Sequence, residues 1–284
     1  MNLTSPSQVK EWCLAHDFHP NKVLGQNFLI DKNALDAILD AADLPSLPVA
    51  PPAPVLEVGP GLGVLTEGLL QRGCAVTAVE KDPVLADRLA ASLENPPNLT
   101  VIKGDALDFA KDGALAGFPT MVSNLPYQAG TRILLELIRR IDLEAETSAE
   151  APQRQAADTI VVLVQTEVAE RLAAGPGSKT RGLAGVWAQL DYDVQIVRAV
   201  KASCFWPRPE IGSTVVKLVR HHRNDTLSAS DRTLFRRLTK QAFEHRRKQL
   251  GSIFKGYIQS TARAEELAND DWIALTKGLN DENA

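Results

Sequence analysis

The sequence predicts a doubly wound α/β fold, a mostly parallel sheet finished by an antiparallel pair of strands. Two observations predict it. Between Val55 and Val164, short apolar runs alternate with stretches of helical periodicity, the pattern of parallel strands joined by helical crossovers. Each of the first four runs also ends in glycine or a polar residue: Gly59-Pro60-Gly61-Leu62-Gly63, then Glu80, Gly104-Asp105 and Asn124. Ligands of such sheets sit beyond the carboxyl ends of the strands, so these four punctuations mark one binding site.

The elements follow in order. Ser5 and Pro6 read as an N-cap and first helical residue for a helix through about Ala15. After Leu24-Gly25-Gln26-Asn27-Phe28-Leu29 comes Asp31, a cap for a helix whose apolar face holds Leu35, Ile38, Leu39 and Ala42. Five prolines between Pro45 and Pro54 mark a linker. Val55 to Val58 is the first strand, and a helix follows the glycine run through about Gln71. Ala75 to Val79 is the second strand, closed by Glu80. A helix from Pro83 to about Glu94 leads to the strand Leu99 to Ile102. Thr120 to Ser123 forms the fourth strand, with a helix after Asn124 through about Ile141. Residues 143–158 are polar and aperiodic, an exposed loop. Thr159 to Val164 is the most β-branched run and reads as a central strand. A helix from Glu167 to Ala173, the loop Gly175-Pro176-Gly177-Ser178-Lys179 and a helix from Leu183 to Leu190 come next. Strands at Val194 to Val200 and Thr214 to Val219 supply the antiparallel pair.

Composition narrows the class. A 284-residue chain that is 44% hydrophobic and 23% charged is globular and long enough for two cores. No apolar run approaches the roughly 20 residues that span a bilayer, and no signal pattern opens the chain, so a cytoplasmic location is expected. Three scattered cysteines without C-x-x-C spacing read as free thiols, and no metal site is expected. The charge is uneven. Between Lys217 and Lys255 stand eleven Lys/Arg against three acids, on a chain whose net charge is −4. A basic block on an acidic body points to one face that meets a polyanion. Arg236, Arg237, Lys240, Arg246, Arg247 and Lys248 are its candidate contacts, mostly in helical sequence with Leu234, Leu238 and Phe243 toward a core.

The strand ends define chemistry. Gly59, Gly61 and Gly63 let the backbone turn tightly and approach a ligand. Glu80 is placed to accept hydrogen bonds from two ribose hydroxyls, and Asp105 to accept the amino group of an adenine. A nicotinamide dinucleotide site uses similar parts, but its third glycine comes one residue later, where this chain has Val64. Asn124-Leu125-Pro126-Tyr127 adds a second function. An adenine amine is a poor nucleophile because its lone pair is delocalised. An amide oxygen at Asn124 and the Leu125 carbonyl accept its two N–H protons, Pro126 stiffens the turn, and Tyr127 offers a face for an extruded base. S-Adenosyl-L-methionine therefore fits as cofactor better than a hydride carrier does.

Five segments in order carry a resemblance: Leu24 to Leu29, Glu57 to Gly63, Gly104-Asp105-Ala106, Asn124 to Tyr127, and Phe205-Trp206-Pro207-Arg208-Pro209. Over about residues 22–255 the chain resembles the KsgA/RsmA family of ribosomal RNA adenine dimethyltransferases. The resemblance implies a Rossmann-like methyltransferase domain with an N-terminal helical extension over residues 1–223, and a small all-α RNA-binding domain over residues 224–284. It implies that Asn27, Leu29, Gly59, Glu80, Asp105 and Asn124 line the cofactor pocket, and that Tyr127 and Phe205 sandwich the target adenine. It further implies two adjacent N6,N6-dimethyladenosines near the 3′ end of small-subunit (16S) ribosomal RNA as product. The substrate is then expected to be that RNA within a partly assembled small subunit, met by a monomer without any membrane. Where the family has Asn-Ile-Ser/Thr after the tetrapeptide, this chain has Gln128-Ala129-Gly130. The alternatives are a macrolide-resistance type of large-subunit methyltransferase, whose glycine loop reads G-S-G-K-G, and a ribosome assembly factor that binds without catalysis. A dinucleotide-dependent oxidoreductase is a more distant alternative.

Overall fold

The computed structural model describes residues 2–21, 23–44, 51–112, 115, 117–139 and 156–281. Most of the expected 143–158 loop, part of the proline linker and the end of the helix after Asn124 lie outside them. The elements are α1 (Pro6–Ala15), β1 (Phe28–Leu29), α2 (Lys32–Ala41), β2 (Pro54–Val58), α3 (Val64–Gln71), β3 (Ala75–Glu80), α4 (Pro83–Ser92), β4 (Leu99–Lys103), α5 (Ala106–Asp112), β5 (Thr120–Asn124) and α6 (Gly130–Ile138). Beyond them come β6 (Thr159–Gln165), α7 (Thr166–Ala173), α8 (Leu183–Asp191), β7 (Tyr192–Val200), β8 (Phe205–Trp206), β9 (Ser213–Arg220), α9 (Ala229–Glu244), α10 (Leu250–Ile253) and α11 (Asn269–Asp281).

Local signals explain where helices start. Asp31 accepts the Ala34 N–H at 2.8 Å and caps α2. Asp82 does the same for α4, accepting the Val84 N–H at 2.9 Å, with Pro83 in the first turn. Ser228 and Asp231 form a reciprocal capping box at α9. Ser5 stands at the N-cap of α1, but its side chain makes no capping bond and meets Ser7 instead.

The sheet has the order β4-β3-β2-β5-β6-β9-β7, with the first five strands parallel and β9 and β7 antiparallel. Strands alternate their side chains between two cores. Val161 and Leu163 of β6 join the core under α1 to α4, while Ile160, Val162 and Val164 face α5 to α7. The strand order reverses between β2 and β5. These two pair only at Val55 with Thr120 and Leu56 with Met121. Above that point the Val58 N–H donates to the Ser123 hydroxyl at 2.9 Å, and the strands part. A separate two-stranded piece pairs β1 with β8, setting Phe28 opposite Trp206 and Leu29 opposite Phe205. The sequence gives no sign of this pair, because two residues are too few for a periodicity.

The C-terminal helices build a third core, and α8 belongs to it through Val186 and Leu190 while its Ala188 faces the sheet. Arg232 of α9 and Asp191 of α8 form a bidentate pair at 2.9 and 3.0 Å, only 1% and 2% exposed. The direction of α9 follows. Val200 and Gln165 both stand opposite Ser213, so β7 ends at the level where β6 ends, and Asp191 lies at the other end of the sheet. From Arg232 beside Asp191, α9 runs back along α8 to Thr239, which accepts the Trp187 indole N–H at 3.0 Å. Its last turn leads to residues 245–248, where Arg246 donates to the Lys179 carbonyl in the loop between α7 and α8. Removing one partner of a buried pair leaves the other charge uncompensated. Arg232→Ala is expected to lower stability by about 3–5 kcal/mol in urea unfolding, and replacing both residues by apolar ones of similar size to cost clearly less.

Candidate active site

A cavity of about 320 Å³ opens where β2, β3, β4 and β5 end, at the lower bound of pockets that take small organic ligands. One wall is the glycine run. Gly59, Gly61 and Gly63 have left-handed φ of 70°, 60° and 93°. A Cβ on Gly61 would meet the Phe28 ring at 3.0 Å, so glycine lets this backbone lie against the segment that carries β1. Gly63 stands behind the cavity as the N-cap of α3, with Leu89 filling the place of a side chain.

Glu80 ends β3 and lines the cavity. Its Oε2 accepts the Gly61 N–H at 3.0 Å and its Oε1 the Asp82 N–H at 2.8 Å. Burial raises its pKa, against the pull of those N–H groups, which favour the carboxylate. A carboxylate has about four lone-pair sites, so Glu80 keeps acceptor capacity for a further donor. Asp105 accepts the Leu107 N–H at 2.9 Å and the Lys81 ammonium at 2.8 Å. The bond from Lys81 holds its carboxyl below the ordinary range.

Asn124 ends β5. Its Nδ2 donates to the Asn27 carbonyl at 3.2 Å, which leaves Oδ1 as the free acceptor of the amide. The Leu125 N–H donates to the Leu163 carbonyl at 3.1 Å, and among the described residues the Leu125 carbonyl accepts no hydrogen bond. The Gly130 N–H closes the turn on the Pro126 carbonyl at 2.7 Å. Asn27, Leu29, Leu125, Pro126 and Tyr127 also line the cavity. The glycine run with Glu80 and the Asn124–Tyr127 turn thus line one space.

The family model described as "Ribosomal RNA adenine dimethylase" matches residues 17–278. The chain belongs to that family. A protein of Corynebacterium efficiens named "Ribosomal RNA small subunit methyltransferase A" is 36% identical over 269 residues, covering 93% of this chain and 87% of its own. One of the same name from Deinococcus radiodurans is 41% identical over 220 residues, 76% of this chain and 67% of its own. Among solved structures, a dimethyladenosine transferase from Plasmodium falciparum superposes with a TM-score of 0.74 at 23% identity, covering 90% of this chain and 98% of that one. The 23S rRNA methyltransferase ErmE superposes with a TM-score of 0.64 at 24% identity, covering 89% and 100%. The shared methyltransferase fold is the doubly wound sheet described above.

Not every residue expected of a dimethylase stands at the cavity. Phe205 is 2% exposed and sits outside its lining, held in β8 against β1. Its ring and that of Tyr127 meet edge to face, centroids 6.5 Å apart and planes at 70°, while the Tyr127 hydroxyl bonds Ser213 at 2.6 Å. The two rings are neighbours but stand crosswise, not as the parallel walls of a sandwich. Among the six basic candidates, Arg236 is half-buried over the Trp187 ring at 4.8 Å, and Arg246 donates to the Lys179 carbonyl and pairs with Glu265 at 3.6 Å. Arg237, Lys240, Arg247 and Lys248 are exposed and unpaired among the described residues. The formal excess of the basic block overstates its free charge, since Lys217, Arg220, Arg223 and Arg232 pair with Asp43, Asp225, Asp193 and Asp191.

Sequence reading passes over Glu57, 1% exposed beneath the cavity, with the Thr66 hydroxyl donating to it at 2.7 Å. An acid inside the apolar run Val55-Leu56-Glu57-Val58 is the available signal. It also passes over Gln26, whose amide donates to Asp82 at 2.8 Å and fastens the Leu24–Leu29 segment across the site. Burial pushes the Glu57 carboxyl up to about 8. An acid with its folded pKa raised holds a proton that the unfolded chain releases, so stability falls as pH rises from the ordinary carboxylate value through about 8. Thermal melting between about pH 5 and pH 9 should show the wild type losing more stability than Glu57→Gln across that window.

Proposed function

We propose that the chain transfers methyl groups from S-adenosyl-L-methionine to N6 of two adjacent adenosines near the 3′ end of small-subunit ribosomal RNA, giving dimethyladenosines. One observation carries the reading: the free amide oxygen of Asn124 and the free carbonyl of Leu125 open on the same cavity as the glycine run and Glu80. Family membership and the names of the curated relatives support the small-subunit RNA over the large-subunit alternative. A binding-only role leaves this paired arrangement without a use.

The residues present suit the cofactor. Glu80 has lone pairs for the ribose hydroxyls, Asp105 for the adenine amino group, and Asn27 and Leu29 complete the wall. S-Adenosyl-L-methionine supplies a methyl group on a sulfonium, already activated, so the chain's own part is positioning and polarisation. Asn124 and Leu125 accept the N–H protons of the target amine and draw its lone pair out of conjugation with the ring. Pro126 and the closed turn hold that carbonyl still, and Tyr127 supports the base. After one transfer the amine keeps one hydrogen, which the same acceptors can orient for the second. In this reading residues 1–223 perform the chemistry and residues 224–284 grip the RNA. The substrate is a partly assembled subunit, and a single copy of the chain acts on it in the cytoplasm.

Asn124→Ala should cut the single-turnover methylation rate by about 10²–10³ while changing RNA affinity little; a rate within a few-fold of wild type would remove the polarisation role. Glu80→Ala should weaken S-adenosyl-L-methionine binding about ten-fold or more in calorimetry, with the fold intact by circular dichroism.

A further inference from the structure

The loop between α7 and α8, residues 174–182, is pinned to the C-terminal segment three times. The buried Arg181 donates from Nη1 to the Ala174 carbonyl at 2.8 Å and from Nη2 to Asn269 Oδ1 at 3.1 Å. The Gly177 N–H donates to the Glu265 carbonyl at 2.8 Å. Arg246, which pairs with Glu265, donates to the carbonyl of Lys179. So fixed, the loop still presents an open outer surface. Gly175 and Gly177 have nothing within 4 Å of the place a side chain would take. Lys179 is exposed and has no partner among the described residues. Arg247 and Lys248, next to the arginine that holds the loop, are likewise exposed and unpaired. The loop follows α7, which begins where β6 ends, at the end of the parallel strands where the cavity opens.

We propose that the 174–182 loop and the 246–248 segment form one phosphate-binding surface for the RNA, spanning both halves of the chain. Lys179, Arg247 and Lys248 contact phosphates, and Arg246 is a positioning residue that holds Lys179 in line with them. This rests on the RNA methyltransferase reading above. It changes the role of Arg246 from contact to strut and adds a contact that lies 67 residues away in sequence. Free cationic groups, two ammoniums and a guanidinium, suit phosphate, which needs charge and little directional fit.

The test is a salt titration of binding to a labelled 3′ fragment of small-subunit ribosomal RNA. Lys179→Gln should flatten the log–log slope by about 0.7–0.9, the loss of one phosphate contact. S-Adenosylhomocysteine affinity and melting temperature should not change. Arg246→Gln should flatten the slope similarly, and the double variant no further, because Arg246 acts through Lys179. Additive flattening would give Arg246 a phosphate of its own and overturn its role as strut. A wild-type slope in Lys179→Gln, beside a flattened one in the Arg247→Gln/Lys248→Gln variant, would overturn the loop's part while leaving the RNA reading in place. A wild-type protein without salt-dependent RNA binding would overturn both.

Discussion

The site depends on the parting of β2 and β5. Parallel strands at a reversal of strand order send their following loops to opposite sides, and the space between has nothing to fill it. Here the two strands pair for two residues and then separate, with the Ser123 hydroxyl taking the Val58 N–H that no strand partner reaches. A buried N–H without an acceptor would oppose the opening, so this serine bond lets the crevice exist at little cost. The glycine run on one side and Asn124 on the other then face each other. The Leu24–Leu29 segment closes over them through Gln26 and Asn27.

Most of this architecture was legible because it is written in local terms. Strand ends at Glu80, Asp105 and Asn124 follow from apolar runs that stop at a polar residue. The helix start after Asp31 follows from a cap one residue before the periodicity, while the Asp82 cap of α4 appears only in the structure. The β1–β8 pair was not legible, since Phe28-Leu29 and Phe205-Trp206 meet only through tertiary structure. The charge of the basic block was legible as a sum but not as a surface. Whether an arginine faces solvent or an aspartate 41 residues away, as Arg232 does, is decided by packing. Phe205 shows the same limit: the family resemblance implies an aromatic near the tetrapeptide, and only the structure shows its ring edge to face with Tyr127.

Three ionisable groups are held away from water in different ways. Arg232 has a carboxylate partner in bidentate geometry. Arg181 has only carbonyl and amide oxygens, and burial lowers its pKa. Glu57 has a single hydroxyl donor and takes up a proton instead. The first two join segments distant in sequence, where direction matters more than strength. The third lies under a site already lined by Glu80 and Asp105, and its neutrality spares that site a further negative charge.

Helix α8 packs its Ala188 into the sheet core and its Val186 and Leu190 into the core of the C-terminal helices. A helix shared in this way joins the two cores through packing on two of its faces, and the reading proposed here takes the separation between the gripping cations and the cavity as a set length. On the reading proposed here the protein works as a ruler. An RNA seated on one body meets the other at one set distance along its strand, and the chain picks its nucleotide by measurement as much as by recognition of a base. Reaching the neighbouring adenosine then requires the RNA to move by a nucleotide, since the instrument itself does not extend.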